Sequence, residues 1–212
     1  MDIAVLIFDR LTALDAVGPW EVLSRLPEAD VALVAADPGL KRAHQGGLGL
    51  VADHSLDDHR AADVVVVAGG PGQEEAARDE RVLDWLRRVH ETTTWTTSVC
   101  TGALILGAAG LLSGRRATTH WLAMDELAGL GAEPVSERVV TDGRLMTAAG
   151  VSAGIDMALV LAARLAGEEV AQAIQLGIEY DPRPPFSAGS PQTAPAGVVN
   201  RLRRGSRFGG GR

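Results

Sequence analysis

The sequence contains few cysteine, lysine and aromatic residues. Its 212 residues include one cysteine, Cys100, and one lysine against nineteen arginines, and 4% of the residues are aromatic. A single cysteine cannot form an internal disulfide, which excludes the disulfide-stabilised class of secreted domains. Apolar residues nevertheless make up 46% of the chain, enough for the core of one globular domain.

Long apolar runs are also missing. No stretch approaches the roughly 20 residues that a membrane-spanning helix needs. The chain opens with Met1-Asp2-Ile3 at the start of an apolar run, and not with a charged and then apolar leader. These features predict a cytoplasmic protein with no membrane partner.

Positive charge is scarce except at the C-terminal end. The net charge is −7, yet the last twelve residues hold five of the twenty basic side chains and no acidic one. The acidic remainder should repel nucleic acid, so we expect no nucleic-acid partner. We predict a single domain over residues 1–190 and a basic Gly/Arg-rich tail over residues 191–212. A basic arm is one interpretation of the tail, but its glycines and its position favour disorder.

Apolar runs alternate with amphipathic stretches along the first 180 residues. The predicted strands are 3–8, 31–36, 63–68, 95–99 and the two arms of a hairpin that turns at Asp142-Gly143. The predicted helices are 15–26, 80–91, 101–109, 121–130, 151–165 and 168–179. This alternation predicts an α/β fold, a flavodoxin-like sandwich whose mostly parallel sheet carries helices on both faces. In such sheets ligands bind beyond the carboxyl ends of the strands.

Cys100 lies at the junction of the strand predicted at 95–99 and a helix of small residues. A strand that turns directly into a helix directs the turn residue's side chain out of the sheet, towards the unpaired N–H groups of the first helical turn. Those groups and the helix dipole favour an anion, so we predict a nucleophilic Cys100 with a lowered thiol pKa. On position alone, a buried cysteine that acts as a small hydrophobic residue is an equally good interpretation.

Two candidate carboxyl groups lie near the end of the first predicted strand, at the edge of the sheet where Cys100 is expected. They belong to Asp15 and Glu21, and Gly69-Gly70 ends another strand at the same edge. A carboxyl group there would manage protons for a reactive cysteine. The alternatives are that Asp15 only caps its helix and that Glu21 is solvated.

The histidines give little sign of a metal or cofactor site. All five lack metal-ligand spacing, and one cysteine cannot make a thiolate site, so we expect no metal. The glycines at 46–49 lack a phosphate-binding pattern, and no organic cofactor is expected. His120 is a candidate auxiliary base, although a histidine at the end of a short strand is more often a hydrogen-bonded structural residue.

Several linked motifs cover about residues 2–180. They are DVVVVAGGPG from Asp63, SVCTGA from Ser98, AGLL from Ala109, ATTHW from Ala117 and TAAGVSAGID from Thr147. Together they resemble the ThiJ/PfpI superfamily, relatives of the class I glutamine amidotransferases. The resemblance implies a nucleophile elbow at Cys100, and it implies a homodimer because such domains usually pair.

Within this superfamily, three segments resemble the isonitrile hydratase family. They are LDAVGPWE from Leu14, the Cys-Thr-Gly elbow, and EYDPRPPF from Glu179. The resemblance implies a lyase that adds water to a small-molecule isonitrile and releases an N-substituted formamide. It assigns Cys100, Asp15 and Thr101 to the active site, and superfamily geometry suggests Gly70 as a backbone donor facing the cysteine. Cys100 would form a thioimidate, with Asp15 as acid and base.

Other functions stay open. Superfamily members often carry histidine directly after the elbow cysteine, where this chain has Thr101, so a dyad of adjacent residues is excluded. The AGLL and TTHW motifs also resemble the sensor half of arabinose-regulator-type transcription factors, although the part after Tyr180 is too short for their DNA-binding module. A redox or aldehyde-handling protein would need the same reactive cysteine.

Overall fold

The computed structural model of the protein describes residues 1–59 and 61–208. The strands in this part are β1 (Asp2–Leu6), β2 (Asp30–Ala35), β3 (Gly39–Arg42), β4 (Gly49–Ala52), β5 (His54–Ser55), β6 (Val64–Val67), β7 (Trp95–Val99), β8 (Arg116–Ala117), β9 (Glu133–Pro134), β10 (Val139–Asp142) and β11 (Leu145–Ala148). The helices are α1 (Ala13–Leu23), α2 (Gln73–Ala76), α3 (Glu80–Thr92), α4 (Gly102–Ala108), a 3₁₀ turn (Trp121–Ala123), α5 (Met124–Gly129), α6 (Ala153–Ala166), α7 (Glu168–Gly177) and α8 (Ala196–Gly205).

Seven strands form the central sheet, in the order β10-β11-β7-β6-β1-β2-β5. Neighbouring strands are parallel except β10 and β11, which are the two arms of the hairpin predicted at Asp142-Gly143. In the register, Val5 of β1 pairs with Leu33 on one side and with Val66 on the other. The predicted α/β fold with a mostly parallel sheet is confirmed.

Alternate side chains of the central strands contribute to two cores, one on each face of the sheet. Val64 and Val66 belong to the core packed with α1, α6 and α7, whereas Val65 and Val67 belong to the core packed with α3, α4 and α5. Burial on both faces explains why β6 is a continuous run of valine. Within residues 1–59 and 61–208, no helix has the length and apolar character needed to cross a membrane.

The C-terminal tail differs from the prediction. Residues 196–205 form α8, and residues 206–208 continue beside the main body of the fold. The prediction of disorder is therefore wrong for this part of the tail, because Val199 gives α8 an apolar side chain that is buried to 8% exposure. The last four residues, 209–212, lie outside the described residues.

Three neighbouring strands bring the predicted site together. Strands β7, β6 and β1 are adjacent in the sheet, and their carboxyl ends lie at one edge. Cys100 directly follows β7, Gly69-Gly70 come soon after β6, and α1 with Asp15 follows β1 after a short loop. The topology thus brings segments that lie far apart in the sequence to one edge, as expected for a parallel sheet.

Candidate active site

Cys100 occupies a tight turn that is held on both sides. Its φ is +56°, in the left-handed region that a residue other than glycine rarely adopts. The Cys100 N–H donates to the carbonyls of Ala148 and Ala149, at 3.1 and 2.9 Å. The Cys100 carbonyl accepts the Thr119 hydroxyl at 2.8 Å. Surrounding hydrogen bonds therefore hold a backbone conformation that costs about 1–3 kcal/mol.

Two glycines allow the loop that follows β6 (residues 68–72, named here the β6 loop) to approach this turn. A Cβ atom on Gly69 would lie 2.6 Å from the Thr101 nitrogen and 2.8 Å from a carboxylate oxygen of Asp15. A Cβ atom on Gly102 would overlap the Val67 carbonyl. Only glycine fits at either position without moving backbone, so the close contact of loop, turn and carboxyl group is built into the sequence.

Asp15 lies in the first turn of α1 and is fully buried. Its Oδ2 accepts the Gly69 N–H at 3.0 Å. Its Oδ1 has no hydrogen-bond partner among the described residues. The carboxyl group interacts with the Cys100 thiol. A buried carboxyl oxygen without a partner costs free energy and points to a chemical role beyond capping.

Burial determines the protonation of this pair. It raises the pKa of Asp15 from 3.8 to about 7, although the Gly69 N–H acts in the opposite direction. Burial, followed by the charge of Asp15, raises the pKa of Cys100 to about 12, against the N–H groups of Val151 and Thr101. The prediction of a lowered thiol pKa is therefore wrong, because desolvation and the neighbouring carboxylate outweigh those N–H groups. Burial therefore favours the protonated thiol at neutral pH, and it brings the pKa of Asp15 close to neutrality.

Thr101 and Gly70 bind each other. The Gly70 N–H donates to Thr101 Oγ1 at 2.9 Å, and the Thr101 hydroxyl is 3.3 Å from the Gly70 carbonyl. The prediction of Gly70 as a backbone donor facing the cysteine is wrong in this structure, since the Thr101 hydroxyl already accepts that N–H. Thr101 instead links the turn after Cys100 to the β6 loop.

The other predicted residues lie farther from the chemistry. Glu21 is on an exposed side of α1, where its Oε1 is 2.6 Å from Arg25 Nη2. His120 lines the cavity beside Cys100, and its Nδ1 accepts the Leu122 N–H at 3.3 Å. Burial lowers the pKa of His120, so its ring is neutral at pH 7. These contacts favour a structural interpretation of His120 and a solvated Glu21.

A cavity of about 460 Å³ opens beside Cys100. Its other lining residues include Thr12, His44, His120, Leu122, Val151 and Phe208. Val151, whose N–H faces the sulfur, has a φ of +33°, which is strained for a β-branched residue. Within residues 1–59 and 61–208, no group of three or more His, Cys, Asp or Glu side chains is arranged to hold a metal ion.

Sequence reasoning missed three parts of this site. Thr119 and Val151 lie in the ATTHW and TAAGVSAGID motifs, but the motifs alone indicated no role for either residue. The third part is the segment 205–208, which lines the cavity after more than a hundred intervening residues. No periodicity or spacing could have indicated that contact.

Comparisons with known proteins show the family of the chain. The model of the DJ-1/PfpI family matches residues 1–164. The chain is 47% identical over 204 residues to isonitrile hydratase of Pseudomonas putida, covering 96% of this chain and 89% of that protein. The fold is similar to the crystal structure of a ThiJ/PfpI family protein from Pseudomonas syringae, with a TM-score of 0.92 and 40% identity. That match covers 95% of this chain and 84% of the other.

A more distant relative is a transcriptional regulator. The HTH-type transcriptional regulator CdhR of Pseudomonas aeruginosa is 31% identical over 173 residues, covering 77% of this chain but only 49% of the regulator. The family model and the full-length similarity to the hydratase carry the assignment. The chain belongs to the DJ-1/PfpI family.

Proposed function

We propose that the protein is an isonitrile hydratase, a lyase that adds water to R–N≡C and releases the formamide R–NH–CHO. The observation that carries the proposal is the fully buried Asp15 carboxyl group, with one oxygen unpartnered among the described residues, beside Cys100. The 47% identity to the Pseudomonas putida hydratase supports the same reaction. An isonitrile carbon accepts a nucleophile only as it receives a proton, so this reaction needs a thiol and a carboxyl group together.

In the first step, the proton passes from sulfur to carbon through Asp15. The pKa of Asp15, about 7, keeps part of the carboxyl population ionised and able to accept the Cys100 proton. The sulfur then forms a bond to the terminal carbon while Asp15 donates that proton to the same carbon. One π bond of the N≡C group becomes the lone pair on nitrogen, and the R–N bond stays intact. The product is a thioimidate, Cys100–S–CH=N–R, and no redox change occurs.

In the second step, Asp15 is ionised again and activates water. Water oxygen attacks the thioimidate carbon, and its proton passes through Asp15 to nitrogen, giving S–CH(OH)–NH–R. The C–S bond then breaks as the hydroxyl proton leaves, which restores the Cys100 thiol and releases the formamide. The Val151 and Thr101 N–H groups, which face the sulfur, stabilise negative charge on it as the bond breaks.

Thr101, Gly70 and His120 have supporting functions in this mechanism. Thr101 positions the β6 loop through its hydrogen bonds to Gly70 and presents its own N–H to the sulfur. Gly70 therefore positions Thr101 and is not itself a donor to the substrate. His120 is a neutral part of the cavity wall, next to the position where the R group of the isonitrile would lie.

A ligand sensor without hydratase activity is the second candidate. The similarity to the regulator CdhR favours it, although the match covers only 49% of that regulator. A redox or aldehyde-handling protein would share the cysteine.

Oligomeric state and location form part of the same proposal. Leu14, Val17 and Trp20 form an apolar stripe on α1 and are 41%, 37% and 37% exposed. A second copy of the chain would cover this stripe in a homodimer, close to Asp15. A monomer in light scattering at micromolar concentration would overturn the dimer.

The mechanism also requires a reduced Cys100, which supports a cytoplasmic location, where thiols are kept reduced.

The test of the function is the hydration of cyclohexyl isocyanide by the purified protein, followed through the N-formyl product. We expect turnover in the wild type and loss of at least about a hundredfold in Cys100→Ala and Asp15→Asn. Glu21→Gln is the matched control, because it removes an exposed carboxylate from the same helix. Failure of the wild type to turn over any of several isonitriles, with Cys100 reduced, would reject the hydratase in favour of the sensor, redox or aldehyde-handling alternatives.

A further inference from the structure

The C-terminal end of the described chain forms part of the Cys100 cavity. Helix α8 ends at Gly205, and residues Gly205–Phe208, named here the C-terminal strap, all line the cavity that contains Cys100 and Thr101. The strap is separated from Cys100 by about a hundred residues in sequence. It is therefore a wall added to the site by a segment outside residues 1–164, the part that matches the family model.

Arg207 fastens the strap to the β6 loop. Its Nη1 donates to the Pro71 carbonyl at 2.6 Å and its Nη2 to the Gly70 carbonyl at 3.2 Å. The same guanidinium is 3.4 Å from a carboxylate oxygen of Glu74 and lies 4.5 Å from the centre of the Phe208 ring. Four partners thus hold a side chain that is only 29% exposed.

The other end of the strap is held by α8. Val199 is buried to 8% exposure, and Arg203 lies 5.7 Å from the centre of the Trp121 ring. Trp121 directly follows His120, another residue of the cavity wall. Because α8 and Arg207 are both attached to the main body of the fold, residues 206–208 line the cavity in a defined position.

The strap is bonded to the same peptide group that holds Thr101. The Gly70 carbonyl receives Arg207 Nη2 at 3.2 Å and has the Thr101 hydroxyl at 3.3 Å. Moving the strap away would enlarge the opening to Cys100 without removing Cys100, Asp15 or Thr101. Displacing the strap should therefore change the rate of reaction at Cys100 by an amount that depends on the size of the reacting molecule.

We propose that the C-terminal strap is a specificity element that limits the size of the molecule reaching Cys100, with Arg207 as the positioning residue and Phe208 as the apolar wall. For the substrate, this inference rests on the proposed function: the strap excludes isonitriles with bulky R groups. The part of the inference that concerns access to Cys100 does not depend on the proposed function, because any thiol reagent must pass the same residues to reach the sulfur.

The first test uses thiol reagents and needs no turnover. We compare the rates at which iodoacetamide, which is small, and N-(1-pyrenyl)maleimide, which is large, modify Cys100 in the wild type, Arg207→Ala, Phe208→Ala and a chain ending at Gly205. Arg204→Ala is the control, because its side chain is exposed in the last turn of α8. Circular dichroism and thermal midpoints identify any variant that has lost its fold.

We expect the rate with the large reagent to rise about tenfold in Arg207→Ala and in the shortened chain, the effect of losing one charged hydrogen bond. The rate with the small reagent should change less than about threefold. Arg204→Ala should match the wild type. Equal changes for both reagents, or an unchanged rate with the large reagent in every folded strap variant, would overturn the proposal.

The second test uses isonitriles of different size. For Arg207→Ala we expect the ratio of kcat/KM for naphthyl isocyanide to that for methyl isocyanide to rise about tenfold, mainly through a lower KM for the bulky substrate. An unchanged ratio would overturn the role of the strap in substrate selection. If no isonitrile is hydrated but the ratio of the modification rates with the large and the small thiol reagent rises, the proposed function is rejected and the role of the strap in limiting access to Cys100 is supported. If isonitriles are hydrated and neither the ratio of reagent rates nor the ratio of kcat/KM values changes, the role of the strap is rejected and the proposed function is supported.

Discussion

Replacing Asp15 with asparagine should stabilise the protein at neutral pH while abolishing its activity. The amide would keep the shape of the side chain and would still accept the Gly69 N–H through its oxygen. The change would remove the one fully buried carboxyl group of the site. A substitution that improves stability and destroys function identifies a residue kept for its chemistry.

The size and sign of the effect follow from the pKa of Asp15. The folded protein keeps this proton up to about pH 7, whereas the unfolded chain loses it near pH 3.8. Between those values the folded state binds more protons, so the free energy of unfolding falls as the pH rises and levels off above pH 7. The total loss is about 4 kcal/mol, and about 2.5 kcal/mol of it falls between pH 5 and 8.

The assay is urea unfolding of the wild type and Asp15→Asn at several pH values from 5 to 8. The gain in stability of the variant over the wild type should grow by about 2.5 kcal/mol across this range. Glu21→Gln, on the exposed side of the same helix, should show a nearly constant difference from the wild type. A gain for Asp15→Asn that does not change with pH would refute the raised pKa and, with it, the proton transfer through Asp15.

Substitutions at three further positions test the other residues of the site. Thr101→Val leaves the Gly70 N–H without its partner and should lower the free energy of unfolding by about 1–3 kcal/mol and reduce kcat, whereas Thr101→Ser should restore both. Gly69→Ala would put Cβ 2.6 Å from the Thr101 nitrogen, so we expect a lower thermal midpoint and almost no turnover; a fully active variant would contradict the tight packing. His120→Gln should retain kcat within about tenfold, and a loss beyond a hundredfold would establish His120 as a base.

The sequence predicted the sheet and the meeting of Cys100 with Asp15 because both follow from local patterns. The valine run of β6, the turn at Asp142-Gly143 and the abrupt change of period at Cys100 each indicate one element and its end. Parallel topology then brings the ends of neighbouring strands to one edge without any further information.

The protonation of the site could not be predicted, because it depends on burial. The pKa of Cys100 reflects a competition between nearby N–H groups, desolvation and the charge of Asp15, and only the packed structure gives their relative sizes. The exchange of hydrogen bonds between Thr101 and Gly70 is likewise a matter of loop geometry.

The C-terminal strap was missed for a different reason. Its residues are glycine, serine and arginine with one phenylalanine, a composition typical of disordered ends. Arg207 is held in place by contacts such as those with the carbonyls of Gly70 and Pro71, which lie where the chain returns. Contacts between residues so far apart leave no periodic signal in a single sequence.

The covalent step is tested most directly by acid-quenching the wild-type protein during turnover of cyclohexyl isocyanide and measuring its intact mass. The mechanism predicts an added mass equal to the whole isonitrile, located on the peptide that contains Cys100. Cys100→Ala should show neither the added mass nor formamide production. Formamide production by Cys100→Ala at the wild-type rate would contradict the account.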